Sequence, residues 1–386
     1  MKVVGIVAEF NPFHNGHLYL LNKAKEMFDN AIYILIMSGN FTQRAEPSIL
    51  DKKSKTEIAL TAGFDLVVEL PFPFATASSE IFATGATCLA NSLGVTDLIF
   101  GSESNDLTYL LKMVDIELNN SNFEPLVRVY LASGMNYPSA RNAAFLNLTN
   151  ESIKLPNDIL ASSYIKAIKK NNYKINVHAI KRTNDYNSNV LESDISSASS
   201  IRKALAKNEN IEDQVPSYVL PYLEKIKDKV LTNEDYFKYI KYKLLTEDNE
   251  KEYPSLDRSL INKLKKNINN VSSYDELINS VKTKNLTYRK VARGLLYYLC
   301  NYTKEKRDMM ENINYIRILG LNKKGQNYLN KIKKDCSLPL ISKFTREKDE
   351  MLELEYKVSL IYCLEHINGN NIINDEFKAF PIRKEW

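Results

Sequence analysis

His14 and His17, three residues apart in His-Asn-Gly-His, stand where an apolar run ends in a Pro-containing turn and a helix is expected to open. Residues at i and i+3 are neighbours on a helix, so both rings would face one point on its first turn. The unsatisfied N–H groups and positive dipole at that end already favour an anion. Two imidazoles aimed there make a place to hold phosphates while charge builds on them. Pro12 and Gly16 fit a forced turn in which backbone approaches a ligand closely. Capping or surface decoration is the plain alternative for such a pair. Against it, the chain has only four histidines, and two of them share this tetrapeptide.

The Ser-rich segment Ile195-Ser-Ser-Ala-Ser-Ser-Ile-Arg202 carries similar chemistry. It places hydroxyls and free N–H groups at a helix start, with Arg202 inside the first turns, an arrangement suited to the outer phosphates of a nucleotide. Ser199, Ser200 and Arg202 are the phosphate-binding candidates here. An ordinary Ser N-cap explains the segment equally well in isolation; beside the histidines, the phosphate reading gains.

Three further segments divide more evenly. Met37–Ser48 is a polar, Gly-containing loop that reads as a substrate lip or as a plain connection. Gly101 in Phe-Gly-Ser-Glu-Ser lets a ligand approach the backbone, yet a tight turn would need it too. Asn157 in Leu155-Pro-Asn-Asp begins a helix, where it binds ligand or acts as an N-cap. Gly320-Leu-Asn-Lys-Lys-Gly-Gln326 has P-loop glycine spacing but lacks the Lys-Ser/Thr that binds phosphate and magnesium, and is rejected. No side-chain metal cage is expected; Mg²⁺ would ride on nucleotide phosphates.

The elements that must position these residues alternate in type. Val3–Ala8, Ala31–Met37, Leu66–Leu70 and Leu98–Phe100 read as buried strands, and Lys174–Lys181 continues the series. Leu18–Phe28, Lys52–Ala62 and Ser79–Leu93 have apolar residues at helical spacing. Such alternation predicts an α/β fold with an open parallel sheet whose ligands bind at the strands' carboxyl ends. His14, Ser38, Gly39 and Gly101 would all be delivered there. After about residue 205 the segments turn helical and rich in Lys, Asn, Leu and Tyr. Residues 1–210 are read as a Rossmann-like catalytic domain and 211–386 as a mainly helical, basic region.

Composition narrows the class. With 386 residues, 44% hydrophobic and 26% charged, the chain reads as an ordinary globular protein. No apolar stretch approaches a membrane span, and Glu9 interrupts the short N-terminal run, so no signal peptide is expected. The four cysteines are widely spaced and form neither a zinc motif nor a disulfide framework, so a cytoplasmic location is expected. Charge is uneven: residues 251–386 hold 26 Lys and Arg against 17 Asp and Glu, and the rest hold 26 against 30. That asymmetry points to a polyanion partner for the C-terminal part, a Lys-rich solvated face being the plainer alternative.

His14-Asn-Gly-His17 with the Ser-rich motif resembles the HxGH nucleotidyltransferase superfamily. More narrowly, Val7–His17, Met37-Ser-Gly-Asn-Phe, Gln43-Arg, Ala75-Thr-Ala-Ser-Ser-Glu, Phe100-Gly-Ser-Glu-Ser and Tyr315-Ile-Arg-Ile-Leu-Gly-Leu-Asn together resemble the bacterial tRNA(Met) cytidine acetate ligases. The resemblance implies a two-step reaction. Acetate attacks the α-phosphate of ATP to give acetyl-adenylate, and N4 of the wobble cytidine of elongator tRNA(Met) then takes the acetyl group. It further implies that His14 and His17 are catalytic. The segment Val7, Ala8, Glu9, Phe10, Asn11, Pro12, Phe13, His14, Asn15, Gly16, His17, Leu18, Tyr19 and Leu20 would wrap the nucleotide, completed by Gly101, Asn157 and Arg182.

The basic C-terminal region then becomes the tRNA-holding part. Arg289 and Arg293, one helical turn apart, suit phosphate contacts. No membrane or obligatory protein partner is expected. The chain departs from the family at Ala45, usually Gly, in Asp51-Lys-Lys-Ser-Lys, and in the loop 183–189. A coenzyme adenylyltransferase would use the same histidines but leave the basic half without a role. An RNA-binding protein on a nucleotide fold would waste the histidines.

Overall fold

The computed structural model describes residues 1–182, 196–248, 251–344, 349–378 and 380–385. The departing loop at 183–189 and Ile195 of the Ser-rich motif lie outside them.

Five parallel strands form the centre of the sheet: β1 (Val3–Ala8), β2 (Ile32–Ser38), β3 (Leu66–Leu70), β4 (Asp97–Ser102) and β5 (Asn176–Lys181), in the order β5-β4-β1-β2-β3. β1, β2 and β3 are almost wholly buried, which is why these runs are nearly continuous in Val, Ile and Leu, whereas β5 at the edge is half-exposed. Alternate residues of β2 supply different cores. Ile32, Ile34 and Ile36 enter one cluster, Tyr33, Leu35 and Met37 the other. The helices Asn15–Met27, Lys52–Ala62, Ser79–Ser92 and Pro156–Lys170 lie between the strands in sequence. This is the expected Rossmann-like α/β arrangement. Strand order reverses between β1 and β4, so their carboxyl ends flank the crevice in which such sheets bind ligands.

Beyond residue 205 the chain is mainly helical, as expected, but it also returns three strands to the same sheet. β6 (Ile316–Asn322) pairs antiparallel with β3, while β7 (Leu340–Ile341) and β8 (Ile382–Lys384) run parallel to β6. Composition concealed β6, because Arg317 and Gly320 interrupt its apolar run. Ile211, Val215, Val219, Leu223 and Ile226 are buried in one cluster with Phe10, Phe13 and Leu21. The two halves therefore share both sheet and core.

A buried ionic cluster joins them. Lys52 contacts Glu69 and Glu376, each at 2.7 Å, and Arg317 contacts Glu69 at 2.9 Å and Glu376 at 2.6 Å. Glu355 closes the group by accepting from the Phe72 N–H; burial and the neighbouring Glu69 push its carboxyl up to about 8. Among the described residues, no helix is long and apolar enough to cross a membrane.

Candidate active site

The turn after β1 is tightly fixed. Phe10 takes a φ of 50°, the Asn11–Pro12 bond is cis, and Asn11 Oδ1 accepts from the Ile49 N–H at 2.8 Å. Phe10 and Phe13, both buried, meet edge to face with ring centroids 4.7 Å apart, and Phe10 packs likewise on His17 at 4.8 Å. Aromatic contacts thus fix the His17 ring.

His14 is the N-cap of the helix Asn15–Met27 rather than part of its first turn, and His17 occupies its third position. Their Nδ1 atoms complete a reciprocal capping box. His14 Nδ1 accepts from the Gly16 N–H at 3.0 Å, and His17 Nδ1 accepts from the His14 N–H at 3.3 Å. The rings lie 4.0 Å apart. Burial, with Arg182 nearby, holds the His14 imidazole down at about 3; burial, His14 and Arg182 hold His17 well below its ordinary value. Both rings are neutral at physiological pH. With Nδ1 accepting from backbone, the remaining proton must sit on Nε2, and each ring offers an Nε2–H donor.

These donors line a cleft of about 240 Å³. From the segment Val7–Leu20 it takes Val7, Ala8, Glu9, Phe10, Asn11, His14, Gly16, His17, Tyr19 and Leu20. Pro12, Phe13, Asn15 and Leu18 are not among its lining residues. Asn15 instead donates to the Asp213 carbonyl at 2.7 Å, and Phe13 is core.

The opposite wall comes from β4, β5 and the helix Pro156–Lys170. A Cβ on Gly101 would meet Arg182 Cγ at 3.2 Å, so the glycine makes room for the arginine's stem as it crosses into the cleft. Asn157 lies one position inside its helix, whose N-cap is Leu155, so the capping alternative does not hold. Glu103 accepts from the Asn157 N–H and Nδ2 at 3.2 and 2.6 Å, and Asp158 accepts from Ser102, Glu103 and Ser104 in return. The Gly-Ser-Glu-Ser loop and this helix start clamp each other, which places Asn157.

Ser197 caps the helix Ala198–Ala206 by accepting from the Ser200 N–H at 3.1 Å. Ser199 and Arg202 reach the cleft wall, whereas Ser200 is buried with its hydroxyl donating to the Ser197 carbonyl. Arg202 donates to the Asn11 carbonyl and pairs with Glu46, both at 2.8 Å, tying the His turn to the lip.

The lip Thr42–Glu46 supplies Thr42, Gln43, Arg44 and Glu46 to the cleft, consistent with the substrate-lip reading of this loop. Ala45 within it takes a φ of 59°, the region that favours the glycine usual at this position. Ser38 and Gly39 do not line the cleft. Their carbonyls accept from buried Lys55 Nζ at 2.8 and 2.7 Å, and the Glu9 carbonyl does so at 3.1 Å. Burial pulls the Lys55 ammonium down to about 7. Composition did not mark Lys55, nor the apolar wall of Phe82, Phe100, Leu160 and Tyr164. The wall is core-like in type and only tertiary contacts expose it.

Arg289 is exposed, close enough to Arg44 to disfavour its charge. Arg293, one turn on, donates instead to the Thr76 carbonyl at 2.6 Å and the Gln43 carbonyl at 3.2 Å. Among the described residues no three His, Cys, Asp or Glu side chains converge as a metal site.

Paired imidazole donors at the head of the first helix of such a sheet define a nucleotidyltransferase, and residues 1–375 match the HIGH Nucleotidyl Transferase family. The relatives are more specific. A tRNA(Met) cytidine acetate ligase of Caldicellulosiruptor saccharolyticus is 36% identical over 397 residues, covering 99% of this chain and 98% of that protein. Another, from a Geobacillus species, is 35% identical over 399 residues, covering 99% and 100%. The crystal structure of Thermotoga maritima TmcAL (apo, form I) is similar with a TM-score of 0.92 at 29% identity across all of both chains. The structure of that protein bound with alpha-thio ATP gives 0.89 at the same identity and coverage. This chain belongs to the tRNA(Met) cytidine acetate ligase family.

Proposed function

We propose that this protein activates acetate with ATP as acetyl-adenylate and passes the acetyl group to N4 of the wobble cytidine of elongator tRNA(Met), leaving N4-acetylcytidine and AMP. The observation that carries this reading is the capping box of His14 and His17, which holds two neutral Nε2–H donors over a helix N-terminus in the cleft. As an acetate oxygen bonds to the α-phosphorus and the bond to pyrophosphate breaks, charge grows on the phosphate oxygens. Preorganised donors stabilise that charge.

Val7–Leu20 holds the nucleotide in this reading, with Gly101, Asn157 and Arg182 completing the site. Ser199 and Arg202 serve the outer phosphates, and Ser200 fixes the helix start from behind. Mg²⁺ arrives on the nucleotide phosphates. Residues 211–386 hold the tRNA, with exposed Arg289 as a phosphate contact and Arg293 tying the same helix to Thr76 and the lip, and the protein works in the cytoplasm.

Incubation with ATP, acetate and a tRNA pool, followed by nucleoside mass analysis, tests the reading. N4-acetylcytidine in the elongator tRNA(Met) fraction is expected, together with acetate-dependent exchange of pyrophosphate into ATP. Exchange without acetylated cytidine would overturn the acceptor; no exchange would overturn the activation step.

A further inference from the structure

The two-step reading leaves one proton unassigned. When N4 of the cytidine attacks the acetyl carbonyl, a C–N bond forms, the C–O bond to AMP breaks, and N4 must lose a proton. Cytosine's exocyclic amine is a weak nucleophile, so a positioned base is required. The cleft is lined by two carboxylates among the described residues, Glu9 and Glu46. Arg202 holds Glu46 in an ion pair at 2.8 Å, which makes it a poor proton acceptor.

Glu9 is differently placed. It follows the last residue of β1, five positions before His14, and faces the cleft that holds the histidines. Its Oε1 accepts from the Gln43 N–H at 2.5 Å, which anchors the carboxylate to the lip. Its Oε2 receives no hydrogen bond from a described residue, and no cation among them lies within ion-pair distance. We infer that Glu9 is the proton acceptor of the acetyl-transfer step, its Oε2 taking the N4 proton as AMP leaves and releasing it to solvent afterwards. This rests on the proposed acetylation of a cytidine amine.

The electrostatic surroundings agree. Burial raises the Glu9 carboxyl above its ordinary value, partly offset by the Gln43 N–H, Arg44 and Lys55, with Glu46 acting in the raising direction. Tyr164 faces it from the helix Pro156–Lys170 and is itself pushed up by burial and by Glu9, so it stays protonated. A carboxylate shifted toward neutrality is a better base than an exposed one.

The test uses the full-length protein and separates the steps. In Glu9→Gln, acetyl transfer to tRNA in single turnover is expected to fall about 100-fold or more. Because Glu9 also sits in the nucleotide-holding segment, pyrophosphate exchange, and acetohydroxamate formation when hydroxylamine replaces tRNA, should fall as well, but at least about tenfold less than transfer does, since hydroxylamine needs no base. The wild-type transfer rate should decline at acid pH as Glu9 protonates, and the variant should lose that limb. Equal losses in all three assays, or an unchanged acid limb, would overturn the role of Glu9 alone. A wild-type protein that forms acetohydroxamate but acetylates no tRNA would overturn the reading beneath it.

Discussion

The main-chain N–H of His14 donates to Nδ1 of His17 across 3.3 Å, while the His14 ring accepts from the Gly16 N–H two residues on. The same atoms that cap the helix therefore set the tautomer of both rings. In the proposed reaction this couples capping to catalysis, and a substitution can separate them.

His14→Asn keeps a good N-cap, because an Asn side chain accepts from the same turn. It lacks the Nε2–H donor. Pyrophosphate exchange should fall about 100- to 1,000-fold with thermal stability close to wild type. Exchange at the wild-type rate would show that the ring is only a cap. His17→Ala should abolish exchange while leaving tRNA binding nearly intact.

Acid should unfold the protein partly through these rings. In the unfolded chain His14 takes up a proton near its ordinary value of 6.5, but in the folded protein only at about 3. Between those values the unfolded state binds the extra proton, so stability is complete above 6.5 and declines as pH falls toward 3. His17 acts in the same direction. Denaturant titrations of wild type and His14→Asn should therefore show the wild type losing its relative stability as pH drops. A stability difference independent of pH would contradict this.

Arg289 and Arg293 should behave differently, although they lie on one helix face. Arg289→Ala should weaken tRNA binding and reduce its salt slope by about 1, with an unchanged melting temperature. Arg293→Ala strips two carbonyls, those of Thr76 and Gln43, of a charged donor. A loss of about 2–3 kcal/mol in stability is expected. Equal melting temperatures for the two variants would refute the distinction.

Lys52→Met leaves Glu69 and Glu376 facing one cation, Arg317, instead of two. Breaking such a buried group costs about 3–5 kcal/mol. Adding Glu376→Leu should restore part of it, which a double-mutant cycle on chemical denaturation would measure. Additive losses would mean that the cluster does not act as a unit.

β1 to β4 were legible in sequence because each carries a short apolar run that the structure buries, while the half-exposed edge strand β5 was legible only as a continuation of the alternation. Val3–Ala8 and Leu66–Leu70 match their expected bounds, and Lys52–Ala62 does so among the helices. Helix ends were less legible: His14 and His17 were both expected on the helix's first turn, whereas His14 is its N-cap and only His17 lies inside it, because polar capping residues carry no apolar period. β6 escaped for a different reason. Its Arg317 is buried only because Glu69 and Glu376 meet it, and neither partner is local.

By itself, the sequence determined a parallel α/β sheet and nominated two histidines, a Ser-rich helix start and Gly101 as candidates for phosphate chemistry at its carboxyl end. Residue type and spacing suffice for that, since they encode local backbone geometry. Tertiary structure alone decided which atoms those residues offer. Backbone N–H groups occupy both Nδ1 atoms, Arg182 crosses Gly101, Arg202 is drawn to Glu46, and Glu9 is anchored on Gln43 with one oxygen left for chemistry. Hydrogen-bond partners distant in sequence fix tautomer, charge and direction, and no local pattern records them.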